Sequence, residues 1–351
     1  DVRLEDPTGP ERSGRMPVTF RWGLQRPDLV RYNRVEGLSV GARAQARPNT
    51  RMGPLSLTMT VRMASAEHEP DARLDVTKEG LERRITWSAF HELAAVTEGG
   101  GHLRLGNSAM AALFGRDDGD YYRRSGLSAE WSPPSFVHRS FVVRGYAEHH
   151  GPMETATDFA VRRVGDDSWV FRDNLMASEG WELGGLVGIT PWWGSDPRSI
   201  QGGVGMILQG AGGTWEYART RLEGRVVFPL ASDVRLTFEV AGGASWGDPP
   251  PQRLWLMGGA TTLRGYGPRV LEGPNFGRSR GELARHFAFG ALYVFSDVAW
   301  AGDRDRMRLD DALHSAGAGL SLADGLIRMD AAWGLSNPKN FRLEAYLDGI
   351  L

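Results

Sequence analysis

The chain has 351 residues, 46 glycines, 12 tryptophans, no cysteine and a formal net charge of -2. A charge this close to zero argues against a nucleic-acid partner, and the lack of cysteine excludes disulfide frameworks, cysteine–zinc sites and thiol chemistry. No run of 18 apolar residues is present, so no transmembrane helix is expected; a spanning barrel stays open, because its strands are only about ten residues of alternating polarity.

Residues 1–30 are rich in Pro, Arg and Asp without a steady period, and read as an irregular entry segment or linker. From residue 31 the texture changes. Leu38, Val40, Ala42, Ala44 and Ala46 alternate with Ser39, Gly41, Arg43 and Gln45. Leu55, Leu57, Met59, Val61 and Met63 alternate with Ser56, Thr58, Thr60 and Arg62. A helix would scatter these residues around its surface, whereas a strand sorts them onto two faces. The pattern returns in Leu81–Val96, Tyr121–Trp131, Ser140–Glu148, Trp181–Pro191, Ser199–Gln209 and Trp215–Phe228. In the last of these, Arg219, Arg221, Glu223 and Arg225 share one face. Unpaired charges in a dry core would cost several kcal/mol each; a water-filled lumen removes the problem. Further strands are expected before Val240, after Asp297 and up to Leu351.

The count is about sixteen, an even number in the range of membrane barrels. The fold expected is therefore all-β: a transmembrane antiparallel β-barrel over residues 31–351. Trp131, Trp181, Trp192, Trp193, Trp215, Trp246, Trp255 and Trp300 fall near strand ends, as an aromatic girdle would. A soluble propeller would show a repeat of about 40 to 50 residues, and none is found.

Several other signals are weak. Gly243-Ala244-Ser245-Trp246-Gly247 matches a nucleophile elbow, but Asp248-Pro249-Pro250-Pro251 follows and forbids the helix that motif needs. Gly202-Gly203-Val204-Gly205 lacks the strand–helix context of a dinucleotide site. Asp117, Asp118 and Asp120 read as a solvated turn rather than a cation loop. His138, His149 and His150 raise the possibility of a membrane hydrolase, but no nucleophile and orienter accompany them. Asp303-Arg304-Asp305-Arg306 reads as a solvated turn. No metal site, cofactor or enzyme chemistry is expected.

The most informative stretch is Leu254–Asp297. Leu254-Trp255-Leu256-Met257-Gly258-Gly259-Ala260-Thr261-Thr262 leads into Leu263-Arg264-Gly265-Tyr266. Gly281-Glu282-Leu283 and then Phe295-Ser296-Asp297 follow. On residues 288–300 the even positions are mostly apolar and suit lipid, so Asp297 faces the lumen. An arginine carried into that lumen by a loop has a bidentate partner there.

These motifs resemble the outer-membrane protein assembly and two-partner-secretion barrel superfamily, of the BamA and TamA type. Its [VIL]-R-G-[FY] motif lies at the tip of the sixth extracellular loop, folded back into the barrel. The resemblance implies a loop lock formed by Arg264, Gly265, Tyr266, Glu282, Phe295 and Asp297. It implies a bacterial outer-membrane location, lipid contact and polypeptide substrates handled through a lateral seam between the first and last strands. Family members carry periplasmic POTRA domains ahead of the barrel, and 30 irregular residues cannot form one. The chain is then either a piece of a longer protein or a barrel-only member. Many such barrels end on an aromatic residue, whereas this one ends Asp348-Gly349-Ile350-Leu351. The alternative reading is a structural or docking barrel that anchors a surface or periplasmic complex without inserting anything; a passive porin is a third.

Overall fold

The computed structural model describes residues 18–50, 53–97, 101–135, 140–194, 196 and 198–347. Nineteen strand segments join in one antiparallel sheet. Asn49–Thr50 and Trp192–Trp193 are short arms at turns, and Val18–Trp22 and Val30–Asn33 pair end to end with the same neighbour. The wall thus has sixteen strands among the described residues. They are β1 (Val18–Trp22 with Val30–Asn33), β2 (Gly37–Ala46), β3 (Gly53–Ala64), β4 (Asp71–Glu79), β5 (Arg84–Ala95), β6 (Tyr121–Ser132), β7 (Phe141–Gly151) and β8 (Gly180–Ile189). The second half is β9 (Gln201–Gly213), β10 (Tyr217–Pro229), β11 (Val234–Gly247), β12 (Asn275–Phe287), β13 (Gly290–Gly302), β14 (Leu313–Leu322), β15 (Ile327–Gly334) and β16 (Asn340–Leu347). Each pairs with the next in chain order.

The wall is inverted relative to a soluble protein, as its solvents require. Leu222, Phe238, Val240, Leu292, Val294 and Leu343 are all exposed on the outside. Their strand neighbours of opposite parity carry the charge: Arg221 bonds Glu223 at 2.5 Å, and Arg73 bonds Glu92 at 2.9 Å. Lipid receives the apolar parity and a polar lumen receives the other. On β13, Leu292 and Val294 face out while Tyr293, Phe295 and Asp297 are buried inside. On the β1–β8 side the lumen opens into a cavity of about 1330 Å³ lined by Arg31, Arg43, Arg73, Asp75, Glu92 and Arg124, among others. This is a transmembrane antiparallel β-barrel.

Strict alternation puts every second connection at one end. At that end lie residues 34–36, 65–70, 96–97 with 101–120, 152–179, 214–216, 248–274, 303–312 and 335–339. The segment bearing Arg264 is thus the sixth loop of that end. The third loop (residues 96–97 with 101–120) carries the only α-helix among the described residues, α1 (Leu105–Phe114).

Four details depart from the sequence reading. The wall begins at Val18 rather than residue 31: Val18–Trp22 pairs with Ala42–Ala46, and its five-residue alternation is hidden between Pro17 and the Gly23–Leu29 excursion. Residues 1–17 and 348–351 lie outside the described residues. Asp117 and Asp120 are buried, not solvated, because Arg34 and Arg172 surround them. The helix α1 occupies residues to which the sequence pattern assigns no element. Trp131, Trp181, Trp192, Trp193 and Trp246 are exposed at the girdle, but Trp300 is buried, and Trp215 and Trp255 turn inward against His150 and Phe276.

Candidate functional site

The sixth loop leaves β11 at Gly247 and runs through Pro249-Pro250-Pro251, which stiffens its start. It then forms a small hairpin, Trp255–Met257 against Leu271–Gly273. The tip between these arms folds inward. Gly258 and Gly259 have φ of +127° and +77°, and a Cβ on Gly258 would lie 2.0 Å from the Gly267 carbonyl oxygen. Only glycine fits this crossing of the two arms. The Leu263 amide donates to the Gly259 carbonyl, the Gly259 amide donates to the Tyr266 carbonyl, and the Thr262 hydroxyl donates to Gly258.

The tip seats on the far wall. Arg264 is fully buried, with Nε donating to Asp297 Oδ2 at 2.8 Å and Nη2 to Asp297 Oδ1 at 2.7 Å. Its backbone amide reaches the same carboxylate at 3.2 Å. Nη1 donates to Glu282 at 3.2 Å and lies 3.8 Å from Asp330. The guanidinium lies 3.4 Å from the centroid of the Phe295 ring, a cation–π contact. Arg280 stands directly opposite Asp297 in the β12–β13 register and bonds it at 3.1 and 3.2 Å. Arg328 bonds Glu282 at 2.8 Å, and the Tyr293 hydroxyl donates to Asp330. Three guanidiniums therefore meet three carboxylates, so the buried cluster is balanced in formal charge.

Gly265 has φ of +83°, and a Cβ there would meet the Trp333 and Gly334 backbone of β15 at 3.0–3.1 Å. Tyr266 fills the space above Gly334, where any Cβ would lie 2.7 Å from the ring. The Tyr266 hydroxyl accepts from the Ser336 amide at 2.9 Å and lies 3.0 Å from the His314 carbonyl oxygen. Of the six residues singled out from the sequence, Arg264 contacts Glu282, Phe295 and Asp297 on β12 and β13, while Gly265 and Tyr266 seat beside it against β15 and residues 314 and 336.

Sequence reasoning missed a second anchor. Arg253, on the first leg of the same loop, is buried against the opposite side of the wall. It grips Glu182 of β8 bidentately at 3.1 and 3.0 Å and lies 3.4 Å from His150 of β7. Tyr146 and Tyr217 donate to the same Glu182 at 2.7 and 2.8 Å. Gln252 beside it exchanges two 3.0 Å bonds with the Ser178 backbone. His150 is therefore one member of this structural cluster, and His149 lies apart on the other face against Trp181; His138 falls outside the described residues. Gly243–Gly247 is simply the end of β11.

Against solved structures, the chain superposes on BamA from Haemophilus ducreyi lacking POTRA domains 1–3, with a TM-score of 0.59 and 14% identity over 95% of this chain and 70% of that one. The fold of the chain is similar to that of this BamA barrel. Two further similar structures are CdiB from Acinetobacter baumannii (14% identity, TM-score 0.48, 90% of this chain and 57% of that one) and CdiB from Escherichia coli (13%, 0.48, 95% and 62%). The chain spans about six-tenths of the length of those two. No family model matches the sequence, and no curated protein matches it.

Proposed function

We propose that this chain is the barrel of an outer-membrane factor that inserts or translocates polypeptides through a seam between β1 and β16. The observation that carries the reading is the broken ring of pairings. Every neighbouring pair from β2 to β16 has a continuous register, whereas β1 pairs with β2 in two pieces around Gly23–Leu29, and among the described residues β1 pairs only with β2 and β16 only with β15. An open strand edge invites pairing with an incoming strand. The sixth loop, held by Arg264, Asp297 and Glu282 on one side and Arg253 with Glu182 on the other, keeps the remaining wall in register while that edge works. The process needs no chemical step and no cofactor; its partners are lipid and extended polypeptide, with POTRA or other periplasmic domains upstream.

The test is depletion of the protein in its native host, followed by quantitative proteomics of the outer membrane. A broad fall in other barrel proteins supports insertion, and loss of one or a few secreted proteins supports translocation. An unchanged outer membrane with loss of one attached complex refutes both and makes the barrel an anchor.

A further inference from the structure

The seam is not empty. The upper segment of β1, Val30–Asn33, pairs with β2 on one edge, and its other edge faces the third loop. The amides of residues 32 and 34 point out of the sheet there, and neither waits for a strand. The Tyr32 amide donates to the Ser108 hydroxyl of α1 at 2.8 Å, and the Arg34 amide donates to the Asp117 carboxylate at 3.0 Å. The Arg34 carbonyl in turn accepts from the Ala156 and Thr157 amides of the fourth loop at 2.9 and 3.1 Å. On the other side of the seam, Arg116 donates its guanidinium to the Leu343 carbonyl of β16, and Asp118 lies 3.6 Å from Arg342.

The connection between these contacts is one helix end. Gly115 closes α1 in the left-handed conformation, its amide reaching the Ala111 carbonyl and the Arg116 amide reaching the Met110 carbonyl. That cap turns the chain so that Ser108 and Asp117 look at β1 while Arg116 looks at β16. Gly106, Ser108 and Ala111 are the buried face of α1, and Ala111 packs with Tyr32, Ala160 and Phe171. Leu105, Leu113 and Phe114 remain exposed.

We propose that α1 and residues 115–118 are a latch seated in the seam, which must withdraw from β1 before an incoming strand pairs there. The inference rests on the seam reading above. Its physical basis is the kind of bond used. Open edge amides near lipid cost several kcal/mol if left bare, so something must satisfy them. A paired strand would do so with a continuous ladder; the latch does it with one hydroxyl and one carboxylate. Those partners are exchangeable: a substrate strand offers carbonyls to the same amides. The helix is also built to leave. Ten residues are marginal as an isolated helix, and Arg104 at its start provides no side-chain cap.

The chain has no cysteine, so tethers can be introduced without background. The disulfide Tyr32→Cys with Ser108→Cys fixes α1 on β1. A separate pair, scanned across Val18–Trp22 and β16 until one crosslinks, staples the seam itself. Each is introduced into the full-length protein as sole copy in the host, with outer-membrane proteomics as readout. The expected result is that the α1 disulfide lowers delivery of substrate proteins at least as far as the seam staple does, and that reductant restores it. If the seam staple blocks delivery and the α1 disulfide does not, the latch is overturned and the seam reading stands. If neither blocks, the seam reading fails and takes the latch with it. A second measurement needs no activity. Ser108→Ala should raise amide exchange at Tyr32 about tenfold, the loss of the one hydrogen bond that amide makes to α1. Unchanged exchange there overturns the latch whatever the proteomics show.

Discussion

Removing Asp297 should harm the barrel more than removing Arg264, although the two residues form one pair. When Arg264 is cut to alanine, Asp297 keeps Arg280 at 3.1 and 3.2 Å, and Glu282 keeps Arg328 at 2.8 Å. The acids stay partnered, and the loss is the bidentate pair, the Phe295 contact and the space of one side chain. When Asp297 is cut, Arg264 and Arg280 are both left in a buried pocket, with Glu282 at 3.2 Å and Asp330 at 3.8 Å from Arg264. Breaking one partner of a buried pair costs about 3–5 kcal/mol. Asp297→Ala belongs at the upper end of that range, and Arg264→Ala nearer 2–3 kcal/mol, the scale of charged hydrogen bonds lost with their acceptor still satisfied elsewhere. The double variant should cost little more than Asp297→Ala, a coupling of about 2 kcal/mol. Denaturant unfolding of the purified barrel, followed by tryptophan fluorescence and by the gel shift between folded and boiled samples, measures all three. Additivity of the two single effects to within about 0.5 kcal/mol would refute the claim that they act as one unit.

Gly265→Ala should be destabilising by about 1–3 kcal/mol, since it places a side chain at positive φ against the β15 backbone; stability equal to the parent would show that the tip is not seated as described. Gly334→Ala should dislodge Tyr266 without touching Arg264, seen as proteolytic cleavage in residues 248–274 with the fold intact. Arg253→Ala should leave Glu182 without its guanidinium partner and free the first leg of the loop, and its effect should add to that of Arg264→Ala because the two anchors share no partner; strong coupling would contradict two independent anchors. The Asp117 carboxyl is pushed up by burial, but Arg34 and the donors around it win, holding it below its ordinary 3.8. A depressed pKa contributes stability that is full above the unfolded value and is lost as pH falls through the folded one. Protease accessibility at Arg116 should therefore be flat from pH 8 to pH 5 and rise only below about pH 4; a rise near pH 6 would exclude Asp117 as the group that holds the third loop.

The barrel was legible because its cause is periodic. Leu55 to Met63 declares two faces within nine residues, and Arg219, Arg221 and Glu223 declare which face is wet. The lock was legible for a different reason: Asp297 sits at lumen parity on an otherwise apolar strand, and Arg264 follows a glycine pair that lets the loop turn back. What stayed hidden depends on partners far apart in sequence. Arg34 and Asp117 are 83 residues apart, and nothing near either one shows that the other neutralises it. The run from Gly115 to Asp120 therefore looked like a solvated turn. The helix α1 was masked by Gly106, Asn107 and Ser108, residues that favour caps and turns over helix interiors. Arg253 offered one clue, a guanidinium just after three prolines in the loop already known to fold inward. Its acceptor Glu182, and Glu148 at 3.7 Å, sit at lumen parity on β8 and β7.

The sixth loop also divides the chain in sequence. Every side-chain partner of Arg253 named here, Tyr122, His150 and Glu182, precedes it in the sequence. The contacts of Arg264 and Tyr266 lie downstream, at Glu282, Asp297, His314, Asp330 and Ser336. The loop thus ties the first half of the wall to the second, with one anchor in each. A chain stopped before Gly334 would keep the carboxylates that hold Arg253 and Arg264 but lose Gly334 and Ser336, on which Gly265 and Tyr266 rest.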